Sequence, residues 1–188
     1  MTVQWQSAQD YSDIGVFERA SQSSVVTVDT YDNEVGFMEK IDAHRAGGTL
    51  HRAFSIFIFD NCGRLLLQRR ASTKYHFGDL WTNTCCGHAV PNEDLSKSAP
   101  IRLWQEMGIC TELQSVGIFA YNATCPNSKL TEREIDHVYR GVTDDKPCPD
   151  PLEVGEWRWA GIDEIQKELR IKPRDFTPWF ALGLAKLS

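Results

Sequence analysis

The feature that most constrains this chain is an apolar run, Ala53 to Phe59, broken by Asp60-Asn61-Cys62-Gly63 and answered by Leu65 to Arg69. Aromatic and β-branched residues suit a pleated, half-buried surface, and an Asp/Asn/Gly segment supplies the backbone freedom a reversal needs. The segment reads as a β-hairpin. Further strands are expected over Gln114 to Asn122, Glu134 to Val142 and Glu156 to Trp159, and helices over Asn92 to Met107, Ile162 to Leu169 and Pro178 to Lys186. Asn92 or Asp94 can cap the first of these helices, and Pro100 is its weak point. Strands and helices alternate unevenly, without a regular βαβ repeat. The expected fold is therefore α/β in the broad sense (α+β), a mixed β-sheet with helices packed on it.

At 188 residues, with 41% hydrophobic and 24% charged residues, the chain suits one folded domain. Residues 1–27, polar and serine-rich, are expected to be an extension ahead of a single folded domain over 28–188. No apolar run approaches the ~20 residues that span a bilayer. The polar start lacks the charged-then-apolar pattern of a signal peptide, so the expected address is cytoplasmic, without membrane insertion. A net charge of -6 gives no general attraction for nucleic acid, so an anionic substrate must be met by a local basic cluster. Six cysteines (Cys62, Cys85, Cys86, Cys110, Cys125, Cys148) contain no CxxC pair and are expected to be reduced.

In Glu132-Arg133-Glu134-Ile135-Asp136 the acids fall at every second position, and a strand places all three on one face. Adjacent carboxylates repel one another without a cation. Together with His44, His51 and His88, Glu132 and Glu134 can fill most of an octahedral shell around a divalent ion. A solvated strand face is the plain alternative. In Trp81-Thr82-Asn83-Thr84-Cys85-Cys86-Gly87-His88, alternation puts Cys86 on the face of His88 and Cys85 on the other. A thiol beside a metal centre can have its pKa lowered, whereas two buried packing cysteines are the simpler reading.

From Gly87 the spacing to Glu93 and on to Ile101-Arg102-Leu103-Trp104-Gln105-Glu106-Met107-Gly108-Ile109 resembles the Nudix box, a loop-helix-loop that positions acids around metal-bound diphosphate. Ile101-Arg102 stands where that box has Arg-Glu, and only Glu106 remains of its Glu-Glu pair. A hydrolase needs several such acids.

The fragments His44-x6-His51, Arg69-Arg70-Ala71, Trp81 to His88, Glu132-x-Glu134 and Pro178-Trp179 stand in one order from about Lys40 to Trp179. In that order and spacing the chain resembles type I isopentenyl diphosphate isomerases, which have a Nudix-like mixed sheet sandwiched by helices. The resemblance implies a metal site of His44, His51, His88, Glu132 and Glu134, taking Mn²⁺ or Mg²⁺. It also implies a Mg²⁺ held with the substrate diphosphate by Glu106 and the backbone carbonyl of Cys86. Lys40, Arg70, Lys74 and Arg102 match the diphosphate clamp. Glu134, helped by Tyr121, and Cys86 match the two proton-transfer groups, and Trp179 matches the aromatic face beside the carbocation-like intermediate. The implied substrate is a small allylic or homoallylic diphosphate. Phe77-Gly78-Asp79 replaces the family's aromatic-Pro-Gly, and Ile101 replaces an arginine; both bear on affinity. A Nudix hydrolase of a diphosphate is the second reading, and a non-catalytic metal-stabilised binding domain the third.

Overall fold

The computed structural model describes residues 23–187; most of the expected extension, residues 1–22, lies outside the described residues. The chain order is β1 (Ser24–Val28), β2 (Glu34–Glu39), α1 (Lys40–His44), β3 (His51–Phe59), β4 (Leu65–Arg70), β5 (Trp81–Thr82), β6 (Cys85–His88) and α2 (Leu95–Met107). It continues through β7 (Gln114–Thr124), β8 (Thr131–Val142), β9 (Val154–Ala160), α3 (Ile162–Ile171) and α4 (Phe180–Leu184). β1 begins inside the stretch expected to be extension, because Val25 and Val26 are core residues. Residues 24–27 therefore belong to the sheet.

β3 organises the sheet. Along one edge it runs parallel to β8, with His51 opposite Glu134 and Phe59 opposite Val142. Its other edge is shared in succession by β1 at His51, β6 from Ala53 to Ile56 and β4 at Phe59. The hairpin expected from the sequence is present, yet its two strands pair only at Phe59 and Leu65 before they splay. β4 turns away to pair with β9 and β5.

Splaying two strands orphans backbone groups, and a buried unpaired amide or carbonyl costs about as much as a lost hydrogen bond. Here the polar Thr82-Asn83-Thr84 stretch fills the gap. Thr84 Oγ1 accepts from the Ile58 amide (2.9 Å) and donates to the Leu66 carbonyl (2.7 Å), bridging β3 to β4. Asn83 Nδ2 donates to the carbonyls of Ile56 (3.1 Å) and Cys85 (2.7 Å), and Gln68 Nε2 to that of Thr84 (3.0 Å). These side chains are fully buried or nearly so, and their polar atoms serve as the ladder that β3 and β4 lack.

Helices cover the two faces. On one, Ala99, Leu103 and Met107 of α2 pack on Phe54, Ile56, Cys85, Ile135 and Tyr139. On the other, Ile165 of α3 and Phe176 and Phe180 near α4 pack on Phe57, Leu67 and Val138. Asp94 caps α2 through the Ser96 amide (2.9 Å), and Gly108 ends it in the left-handed conformation (φ 65). Pro100 lies inside this helix and removes one backbone hydrogen bond; the cap and the apolar face outweigh it. The C-terminal helix expected from Pro178 starts at Phe180, with Trp179 at its N-cap. No helix among the described residues is long and apolar enough to cross a membrane.

Candidate active site

The pleat assigns residues to the site. On β8, Glu132, Glu134 and Asp136 share one face; the register with β3 adds His51, and β6 adds Cys86 and His88. Lys40 and His44 come from α1, whose start is held by Glu39 accepting from the Asp42 amide (2.9 Å). These side chains, with Arg70, Lys74, Arg102, Glu106, Tyr121 and Trp179, line one pocket, or in the cases of His44 and His51 lie fully buried behind it. Its empty space is about 900 Å³, counting the open mouth.

One ligand atom each from His44, His51, His88, Glu132 and Glu134 lies within 4.8 Å of all the others. The imidazoles are set for metal binding. His44 Nδ1 meets the Lys40 carbonyl (2.5 Å) and His51 Nδ1 the Thr49 carbonyl (2.7 Å). A carbonyl only accepts, so both Nδ1 atoms carry the hydrogen and a neutral ring presents its Nε2 lone pair to the cluster. His51 Nε2 is buried without a hydrogen-bond partner, 3.3 Å from Glu134 Oε1. A lone pair facing a carboxylate oxygen is repulsive unless a cation lies between them, so the donor set fits a divalent ion. Burial raises the Glu132 carboxyl pKa, but the imidazoles of His44, His76 and His88 beside it outweigh this and hold it well below the usual range. Burial and the neighbouring Glu134 push Asp136 well above its usual value.

The basic end of the pocket has the opposite problem. Lys74 is lowered to about 8, first by burial and then by Arg70, Arg102 and Lys40, against the pull of Glu106. Lys40 is lowered by burial and by Arg102. Four cations around one cleft, two of them lysines lowered by burial and by their neighbours, suit an anion. Arg102 bridges Glu106 (2.5 Å) and Glu153 (3.0 Å), and Lys74 also meets Glu153. Glu106 is held by Gln68 (3.1 Å) and lines the same pocket as Cys86.

The candidate proton carriers line the same pocket. Tyr121 stands opposite Glu134 across β7 and β8, and its hydroxyl donates to Glu134 Oε2 (2.5 Å). Cys86 Sγ donates to Asn83 Oδ1 (3.1 Å). The expected easing of Cys86 ionisation is not what the protein's own groups produce: burial first, then Asp136, pushes the thiol up to about 12. Cys85 is fully buried on the opposite face, among Phe54, Leu103 and Met107. Trp179 closes the pocket beside Tyr121 (5.9 Å between rings) and Phe77 (5.4 Å), with the Arg70 guanidinium 5.5 Å from its centroid.

His76 was not foreseen as a site residue. It is buried, lines the pocket and contacts Glu132 Oε1. The available signal was the histidine count: of five in the chain, His44, His51, His76 and His88 converge. Ile101 is buried in α2, and Asp79 adopts φ 63 where the related pattern has glycine.

A split mixed sheet with a glycine-to-helix segment against the pocket defines the class. The same fold occurs in a crystal structure from Deinococcus radiodurans (TM-score 0.66, 16% identity, 79% of this chain and 90% of that one). It also occurs in a MutT NUDIX hydrolase from Burkholderia pseudomallei (TM-score 0.58, 16% identity, 74% and 99%). The NUDIX domain family matches residues 49–180. Within it, the isopentenyl-diphosphate Delta-isomerase of Halorhodospira halophila is 49% identical over 83% of this chain and 90% of its own length. That of Serratia proteamaculans is 47% identical over 83% and 86%. The chain belongs to the isopentenyl-diphosphate Delta-isomerase family of NUDIX proteins.

Proposed function

We propose that this chain interconverts isopentenyl diphosphate and dimethylallyl diphosphate by adding a proton on one side of the substrate and removing another from the opposite side. The observation that carries the reading is one pocket lined by Cys86, by the Tyr121–Glu134 pair and by Trp179, with four cations at one end. Protonating an unactivated alkene and deprotonating the neighbouring methylene requires an acid and a base across the substrate.

In the forward direction the protonated Glu134 carboxyl, held by Tyr121, gives its proton to the terminal alkene carbon: its O–H bond breaks, a C–H bond forms and Glu134 is left as carboxylate. Cys86 as thiolate accepts the proton lost from the methylene next to the developing cation, one C–H bond breaks, and the double bond moves by one carbon. The return direction uses the Cys86 thiol as donor. Trp179 offers its π face to the tertiary cation between these steps, an interaction worth ~2 kcal/mol when desolvated. Arg70 beside that ring already makes such a contact. Lys40, Arg70, Lys74 and Arg102 bind the diphosphate through charge-assisted contacts.

His44, His51, His88, Glu132 and Glu134 would hold Mn²⁺ or Mg²⁺, and Glu106 with the Cys86 carbonyl a Mg²⁺ accompanying the diphosphate. Bound cations supply positive charge that offsets the clustered carboxylates and the substrate's phosphates. Ile101 and Gln105, where the Nudix box has charged residues, argue against hydrolysis. Incubation with isopentenyl diphosphate and Mg²⁺ in D₂O tests this: deuterated dimethylallyl diphosphate is expected. Released phosphate would instead make the chain a hydrolase, and unchanged substrate a binding domain.

A further inference from the structure

Glu132 has two carboxylate oxygens in different surroundings. Oε2 faces the imidazoles, 2.7 Å from His44 Nε2, 3.9 Å from His88 Nε2 and 4.0 Å from His51 Nε2. Oε1 is taken by His76 Nε2. A carboxylate only accepts, so that His76 nitrogen carries the hydrogen, and its Nδ1 is buried without a partner. His76 stands outside the group of five whose ligand atoms converge.

The loop that carries His76 is built to keep it there. Tyr75 packs against the imidazole at a tilt (4.3 Å between centroids, 33° between planes), and Phe77 approaches it edge-on (5.8 Å). Arg70 clamps the backbone, donating to the carbonyls of Phe77 (3.1 Å) and His76 (3.3 Å). Phe77 and Asp79 both adopt left-handed backbone (φ 48 and φ 63), a conformation that persists only where the surroundings impose it.

We propose that His76 is a positioning residue of the metal centre: through its Nε2–H it holds Glu132 Oε1, so that Oε2 is presented to the ion bound by the three ligand imidazoles. The role rests on the metal reading given above and extends it to a residue beyond the five ligands. Partners that orient a ligating carboxylate raise metal affinity, and their loss costs roughly 10–100-fold.

The test titrates metal-free protein with Mn²⁺ alone, following free Mn²⁺ by electron paramagnetic resonance. Binding by the wild type tests the metal reading; the difference between wild type and variants tests His76. His76→Ala is expected to weaken binding by roughly 10–100-fold. His76→Gln, which keeps an N–H donor, is expected to recover most of the loss. Unchanged affinity in His76→Ala, or no recovery in His76→Gln, would overturn the role. Pulsed resonance on the ¹⁵N-histidine-labelled wild type requires no variant to fold. Three coupled nitrogens are expected, and four would make His76 a ligand and overturn its assignment as a positioning residue.

Discussion

On β3, β6 and β8, neighbouring residues do opposite work. One face of these strands carries His51, Cys86, His88, Glu132, Glu134 and Asp136; the other carries Phe54, Ile56, Cys85, Ile135 and Tyr139 beneath α2. Both faces are largely buried, so exposure does not separate them. The polar face gathers buried charge, which is costly to desolvate without a partner. The apolar face is close-packed and supplies stability. Strand alternation lets one short segment serve both needs, so changes one residue apart should appear in different measurements.

The sharpest test is Cys86→Ala. It removes a proton carrier and should lower kcat by about three orders of magnitude or more, while thermal melting and metal content stay near wild type. Turnover close to wild type would dissolve the contrast between the faces and remove the base from the mechanism. The next effect is metal removal. Prolonged chelation should abolish turnover, restored by Mn²⁺ or Mg²⁺, and it should also lower the melting temperature. An ion at about a hundred times its Kd stabilises by about 3 kcal/mol. Full turnover by verified metal-free protein would leave the polar face without its proposed ion.

The apolar face should respond in stability. A Cβ on Gly87 would lie 2.5 Å from the Phe54 ring, so Gly87→Ala forces β6 away from β3 or tilts the ring. A loss of about 1–3 kcal/mol in denaturant unfolding is expected. Cys85→Ala is the smallest change, about 1 kcal/mol of stability with kcat unchanged. A large kcat loss there would mean that the two cysteines do not divide the work by face.

How much of this was legible depended on whether a signal was local. The alternation Glu132, Glu134, Asp136 needs only a strand to put three acids together, and the same parity separated Cys85 from Cys86. The hairpin turn was equally local. Its splay was not, because the bridging hydrogen bonds of Asn83 and Thr84 serve strands β3 and β4, whose separation no short segment encodes. His76 escaped for a similar reason: its partner, Glu132, lies on a distant strand, and an aromatic loop with left-handed residues gives no periodic signal. The high Cys86 pKa followed from desolvation of the thiol and from Asp136, neither visible in the Cys-Cys-Gly-His order.

The parallel pairing that sets His51 opposite Glu134 also fixes when the centre can exist. Antiparallel strands can close through a tight turn, but parallel strands require a long crossover, and such distant pairings form slowly. During synthesis the hairpin, the Cys86–His88 strand and α2 all precede the residues of β8. Until that strand is made and docked, no carboxylate stands beside the histidines, and the five donors do not exist as a set. An ion that favours the assembled centre therefore rewards the docking of β8 on β3, tying maturation of the centre to that one long-range pairing.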